Sequence, residues 1–130
     1  MTTLPELGRA RYVSLTTYRK DGTPVATPVW AAAEGEELFV WTRSDSWKVK
    51  RLSRNPAVTV RPCDLRGNVA EGAPEVTGTA RLLTGPAEMK ALRRLIRRKY
   101  GWQFVMLDLP STLARGGKRP HTGIAIRAVD

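Results

Sequence analysis

The chain has 130 residues, of which 42% are hydrophobic and 26% are charged, a balance typical of a globular protein and not of a disordered one. This length suits one domain over residues 1–130, and no apolar run approaches the roughly 20 residues that a membrane-spanning helix needs. The formal net charge of +10 favours an anionic partner, either nucleic acid, acidic lipid or a small polyanionic ligand.

Cysteine and histidine are each represented once, by Cys63 and His121. A single cysteine excludes an internal disulfide and disfavours a cysteine-based zinc site. The wide sequence separation disfavours a catalytic Cys63–His121 pair, and a half-buried thiol is the ordinary interpretation. The N-terminal residues lack the basic-then-apolar layout of a signal peptide, so we expect a cytoplasmic protein.

The first 42 residues predict three strands joined by short turns. Residues 11–18 alternate as one strand, and Asp21-Gly22 then forms a hairpin-turn signal. Residues 25–33 predict a second strand, in which Pro28 cannot donate a ladder hydrogen bond and so indicates an edge, a bulge or an open place. The apolar residues 38–42 predict a buried third strand.

A short helix is predicted to follow this third strand. Ser44, Asp45 and Ser46 are all good helix caps, and Val49 and Leu52 continue at helical spacing. The pair Asn55-Pro56 is expected to end the helix.

The second half of the chain predicts three more strands and one long helix. The strands are residues 57–64, 75–84 and 122–129, and Gly78 indicates a bulge or bend in the middle one. Residues 85–101 predict the helix, with Pro86 in its first turn and Gly101 at its end. Its apolar stripe runs through Met89, Leu92, Leu95 and Ile96. Strands in series with few helices favour an antiparallel barrel.

The junction between the third strand and the short helix is a candidate anion site. A strand that turns into a helix leaves backbone N–H groups pointing outward, and the helix dipole strengthens their attraction for an anion. Candidate donors are the hydroxyls of Thr42, Ser44 and Ser46, and candidate cations are Arg43, Lys48 and Lys50. Lys48 and Lys50 lie roughly 200° apart on a regular helix, so both reach one phosphate only if the turn is irregular. A solvated helix face is the alternative interpretation.

Two further features suggest binding. The segment Thr27–Trp30 carries a proline inside a strand, so its unpaired backbone groups can face a flat heterocycle. Trp30 and Trp41, on adjacent strands, can line the same site. A tryptophan pair in the core explains the same residues. The basic face of the long helix is either solvated or holds an acidic tail or nucleic acid.

The order of these segments resembles the split β-barrel flavin and deazaflavin oxidoreductases, the pyridoxamine oxidase class with its F420-dependent reductases. The segments that carry the resemblance are "DGTPVATPVW" and "KVKRLSRNPAVTVRPCDLRG". The resemblance implies a mainly β fold with some α: an antiparallel split barrel of six or more strands, a short helix after the third strand and one longer basic helix.

The resemblance also implies a homodimer with a cofactor between the subunits and a small-molecule substrate. By position, Thr27, Pro28, Val29 and Trp30 would line the deazaflavin ring, beside Trp41. Thr42, Arg43, Ser46, Lys48 and Lys50 would bind the phosphate and the start of its acidic tail, while Arg51 and Arg54 are left outside the site. Pro62 and Cys63 would lie nearby, and Trp102 would approach from the partner subunit.

The implied activity is hydride transfer from reduced coenzyme F420 to a small conjugated or tetrapyrrole-like substrate, in which no side chain of the protein need act as a nucleophile. One alternative is an FMN-binding oxidase or carrier on the same fold, because two cations are enough for one phosphate. A second alternative is a non-enzymatic nucleic-acid-binding module, disfavoured because only Tyr100 and Trp102 flank the basic helix as stacking aromatics.

Overall fold

The structure is a computed structural model that describes residues 3–43, 46–101 and 121–129. In chain order its elements are α1 (Leu4–Leu7), β1 (Tyr12–Tyr18), β2 (Pro24–Val29), β3 (Ala31–Glu34), β4 (Glu37–Arg43), α2 (Trp47–Arg54), β5 (Ala57–Cys63), β6 (Val76–Leu83), α3 (Pro86–Tyr100) and β7 (His121–Ala128).

Within the described residues, seven strands form one antiparallel sheet in the order β2-β1-β5-β6-β7-β4-β3. The two edge strands, β2 and β3, follow each other directly in the chain with only Trp30 between them. The sheet must therefore curl until its edges approach, and β2 does contact β4 across this seam. The predicted split-barrel fold is confirmed.

The prediction of one continuous strand over residues 25–33 is wrong, because the chain changes partner at Trp30. Val29 still pairs with Val13 of β1, whereas Ala31 pairs with Val40 of β4. The short helix α2 consequently follows the fourth strand instead of the third. Helix α1 was not predicted; it is a single turn whose Leu4 and Leu7 are buried in the core.

The sheet separates two apolar clusters. Val13, Leu15 and Ile124 belong to the larger cluster on the concave face, which Leu52 of α2 also joins. Leu92 and Ile96 of α3 form the smaller cluster on the opposite face. Alternation along β4 assigns its side chains to these two faces, since Leu38 and Val40 belong to the first cluster and Phe39 and Trp41 pack against the second.

The predicted boundaries of both longer helices are confirmed. Ser46 caps α2, which ends at Arg54 just before Asn55-Pro56. Pro86 is the first residue of α3, and Gly101 ends it with a positive φ of 54°, a conformation that favours glycine. The apolar stripe of α3 extends one turn beyond the prediction, to the buried Tyr100.

Gly78 does not form a bulge, the first of the two predicted alternatives. The β5–β6 ladder runs through it without a break, where it pairs with Val58, and its pair with Ala128 is the last of the β6–β7 ladder. A Cβ atom at this position would lie 2.7 Å from the carbonyl oxygen of Arg127. Glycine is required here because two backbones approach closely.

Among the residues that the structure describes, none of the helices has the length and apolar character needed to cross a membrane.

Candidate cofactor site

The junction between β4 and α2 has the form of a capped helix start. The Ser46 hydroxyl accepts a hydrogen bond from the Val49 amide at 3.4 Å. Thr42 is buried at the end of β4, while Arg43, the last residue of that strand, is exposed and pairs in register with His121 of β7. The junction thus places a helix N-terminus and an exposed guanidinium next to each other in the chain.

The two lysines of the predicted phosphate site lie on different sides of α2. The helix includes both residues and is regular, so they point roughly 200° apart. Lys48 is half-buried, and this burial, together with the nearby charge of Arg51, lowers the pKa of its ammonium group. Lys50 is exposed, with its Nζ atom 4.3 Å from the centre of the Trp47 ring.

Lys50 opens onto a cavity of about 760 Å³ between α2 and the β1–β2 turn. Its described lining comprises Tyr18, Arg19, Lys20, Trp47, Lys50, Arg51, Arg54 and Asn55. Five of these residues are cationic, two are aromatic and none of the eight is a carboxylate. This composition suits a ligand that carries several anionic groups.

Arg51 is the best-anchored cation of this cavity. Its Nη1 atom donates a hydrogen bond to the Thr17 hydroxyl at 3.2 Å, and its side chain is half-buried. Arg51 and Arg54 were left outside the predicted site, although their spacing in the sequence places them on the same helix face as Lys50. Trp47, Lys50, Arg51 and Arg54 have the spacing of one helix face, and the structure brings that face to the cavity.

The predicted ring-binding segment lies on the edge strand β2. The side chain of Thr27, opposite Leu15 of β1, has a buried hydroxyl oxygen with no hydrogen-bond partner among the described residues. Val29 is buried in the larger cluster. Pro28 is exposed and lies beside Gly67, where an added Cβ atom would come within 3.3 Å of the proline ring. An unsatisfied buried hydroxyl is costly, so Thr27 lowers the stability of this edge strand.

The two tryptophans of the predicted site are brought to the same face of the sheet. Trp30 stacks on Tyr100 with 4.5 Å between ring centres, and Trp41 stacks on His121 at 4.6 Å. Both half-buried indoles pack against the smaller cluster. Extending the β3–β4 register by one residue sets Trp30 beside Trp41. Thr27 lies on β2, the strand that leads into Trp30, but its side chain is directed to the opposite face of the sheet, with Leu15.

Pro62 and Cys63 end β5, where they pair with Val13 and Tyr12 of β1. Burial, and then the adjacent Asp64, raise the pKa of the Cys63 thiol, which therefore stays protonated at neutral pH. His121 pairs instead with Arg43 of β4, so the sheet gives the cysteine and the histidine different neighbours. Ser44, Asp45 and Trp102 lie outside the described residues. In the described ranges, no group of three or more His, Cys, Asp or Glu residues could hold a metal ion.

Sequence comparison matches residues 4–129 of the chain to the family model described as pyridoxamine 5'-phosphate oxidase. This match covers nearly the whole chain. No functionally curated protein matches the sequence significantly.

Solved structures share the fold at low sequence identity. An F420 reductase is 23% identical with a TM-score of 0.64, over 100% of this chain and 95% of that one. The haem storage protein HutZ of Vibrio cholerae is 14% identical with a TM-score of 0.71, over 96% and 87%. An FAD-binding protein of Mesorhizobium loti is 20% identical with a TM-score of 0.59, over 95% and 85%. At these identities the likeness establishes the split-barrel fold.

Proposed function

The chain belongs to the pyridoxamine 5'-phosphate oxidase family, and on that premise we propose that it is an F420-dependent oxidoreductase, which transfers a hydride from the reduced deazaflavin to a small conjugated or tetrapyrrole-like substrate. The observation that carries this proposal is the cavity beside α2. Its five cations exceed what a single phosphate needs, and a cofactor with a phosphate and an acidic tail would use the excess.

The described residues fit such a cofactor in two places. The helix start at Ser46, with Arg43 and Lys50 nearby, would hold the phosphate, and the cations of Arg51 and Arg54 would hold further carboxylates of the tail. The half-buried indoles of Trp30 and Trp41 would contact the flat ring. A bound deazaflavin would supply the hydride, while these protein groups would orient it and exclude water.

A second candidate is an FMN-binding oxidase or carrier on the same fold. The pyridoxamine 5'-phosphate oxidase description of the family and the structural likeness to an FAD-binding protein favour it. The haem storage protein among the structural neighbours also makes haem a ligand worth testing.

The test is a titration of the cofactor-free protein with F420, FMN, FAD and haem, followed by fluorescence or absorbance. We expect F420 to bind in the micromolar range or more tightly, and more tightly than FMN. No spectroscopic change with F420, even at low salt, would contradict the proposed function, and a yellow protein purified from a host that lacks deazaflavin would favour the FMN alternative.

The cavity is tested separately by the double variant K50A/R54A. Each lost charge-assisted contact is worth about 1.5 kcal/mol, so we expect the Kd for F420 to rise by at least about tenfold. The matched control is R94A/R98A, which removes the same charge from the exposed face of α3. Equal affinities of the two double variants would exclude the cavity as the tail site.

A further inference from the structure

Two neighbouring side chains at the end of α3 converge on the corner between β2 and β3. The ammonium group of Lys99 donates hydrogen bonds to the carbonyl oxygens of Gly8, Ala10 and Ala31, each within 2.6 Å. Its three donors are thus matched by three acceptors. The N-terminal segment and the first residue of β3 are thereby tied to one point of the helix.

The Tyr100 hydroxyl takes part in the same corner. It accepts a hydrogen bond from the Ala31 amide at 2.9 Å, and its proton faces the carbonyl oxygens of Arg11 at 2.9 Å and Ala31 at 3.0 Å. Both backbone polar groups of Ala31 are therefore bound by Tyr100. The ring of Tyr100 also lies nearly parallel to that of Trp30, with 8° between the planes.

Both groups carry their protons at neutral pH. Burial raises the pKa of the Tyr100 hydroxyl to about 12. Burial, and then the nearby charge of Arg11, lower the pKa of Lys99 only to about 8. The hydroxyl can therefore donate, and the ammonium group keeps the three N–H groups that its three carbonyl partners require.

We propose that Lys99 and Tyr100 are positioning residues, which set the place and the plane of the Trp30 ring in the cofactor site. Trp30 is bonded through the chain to Ala31, whose carbonyl oxygen accepts from Lys99 and whose amide donates to Tyr100. The indole ring also lies against the phenol ring of Tyr100. The indole ring has little freedom to rotate, because the backbone that follows Trp30 is fixed and Tyr100 covers one face of the ring. An indole held in this way can meet a flat cofactor without a further ordering cost.

This inference rests on the proposed function for its effect on binding, but the positioning of Trp30 can be observed without any cofactor. The variant Y100F keeps the aromatic ring and removes the hydroxyl. We expect hydrogen exchange at the Ala31 amide to accelerate by at least about tenfold, and the near-UV circular dichroism of the stacked indole to change. We also expect the Kd for F420 to rise at least about fivefold. K99M, which keeps the aliphatic stem, should change the same three measurements in the same direction.

The control is V58A, which destabilises the core by removing methyl groups from a buried residue of β5, two places from β2 in the sheet order. V58A should leave three measurements unchanged. They are the protection of the Ala31 amide relative to amides that exchange by global unfolding, the near-UV circular dichroism and the Kd for F420. An Ala31 amide that exchanges faster in Y100F while the circular dichroism and the Kd stay at wild-type values would overturn the positioning role.

If the wild-type protein binds none of the four cofactors, the proposed function fails. The positioning of Trp30 is then judged by the circular dichroism of K99M, which keeps every aromatic ring, and a spectrum identical to wild type would overturn it.

Discussion

Thr17 and Thr27 are two threonines of the β1–β2 hairpin with opposite hydrogen-bonding states. The Thr17 hydroxyl accepts from Arg51, whereas the Thr27 hydroxyl is buried without a partner among the described residues. Both residues lie in register with neighbours of the opposite strand, Thr17 with Val25 and Thr27 with Leu15. The difference therefore lies in what each hydroxyl meets and not in the strand geometry.

This contrast predicts opposite effects for the same substitution. T27V removes an unsatisfied buried hydroxyl, so we expect the free energy of unfolding of the cofactor-free protein to rise by about 1 kcal/mol. Its Kd for F420 should stay at the wild-type value, because the Thr27 side chain faces away from Trp30 and Trp41. Urea denaturation and fluorescence titration measure the two effects.

T17V is the matched control, since it leaves Arg51 with one acceptor fewer. It should lower the free energy of unfolding by about 1 kcal/mol. Equal loss of stability in both variants would show that the Thr27 hydroxyl is satisfied in the folded protein.

At the scale of single residues, the sequence predicted which side chains form contacts better than it predicted their partners. Capping by Ser46 was predictable because a hydroxyl before a helical pattern has a local partner. The partner of Arg51 was not, because Thr17 lies 34 positions away and only the packing of α2 on β1 brings the two together. The stack of Trp41 on His121 was missed for the same reason.

At the scale of elements, close backbone approach decides where glycine is needed. Gly78 lies between β5 and β7 in the ladder, and an added Cβ atom would meet the backbone of Arg127 at 2.7 Å and a methyl of Ile126 at 2.9 Å. The backbone atom cannot move without disturbing the sheet. The sequence marked this position as unusual but could not distinguish a bulge from a close approach.

We therefore expect G78A to lower the free energy of unfolding by about 2 kcal/mol through overpacking, as measured by denaturation. The control is G85A at the start of α3, where the added Cβ atom would meet only the mobile carboxylate end of Glu88, at 3.1 Å. That change should cost under about 1 kcal/mol. A tolerated G78A would mean that the β6–β7 backbones can separate at this point.

At the scale of the whole molecule, two separate surfaces of the described residues are rich in positive charge. One is the cavity beside α2, whose cations come from two elements. The other is the outer face of α3, where Lys90, Arg94, Arg97 and Arg98 are all exposed, opposite the face that packs on the sheet through Leu92 and Ile96. Only the first surface is concave, which favours it as the binding site for a small ligand.

The concentration of charge in the cavity predicts a difference in salt dependence between the two cofactors. F420 should lose more affinity than FMN as ionic strength rises, because its longer tail would form more ion pairs, which salt screens. Parallel titrations over a series of salt concentrations measure both slopes. Equal slopes would indicate that the cavity holds one phosphate only.

The nucleic-acid alternative is tested by the same titrations with arbitrary oligonucleotides. Salt-sensitive binding of oligonucleotides by a protein that binds no cofactor would support that alternative.

The homodimer that the family resemblance implies stays a prediction, which sedimentation of the protein at several concentrations can test.

Local patterns in the sequence were sufficient for most of the fold. Alternating apolar residues, turn signals and helix caps predicted five of the seven described strands and both longer helices within a few residues, because each depends on neighbours close in the chain. The break at Trp30 was not predictable, since it arises when the chain leaves β1 for β4, a choice of partner that local alternation does not encode.

The sequence by itself therefore determined the family, the antiparallel barrel and the cationic character of the segment around α2. The tertiary structure decided which of those cations share a cavity, because a regular helix turns Lys48 and Lys50 apart and brings Lys50, Arg51 and Arg54 to one face. It also decided that Lys99 and Tyr100, 68 and 69 positions from Ala31, hold the corner beside Trp30. Such contacts depend on the closing of the sheet, which brings residues together that no short stretch of sequence contains.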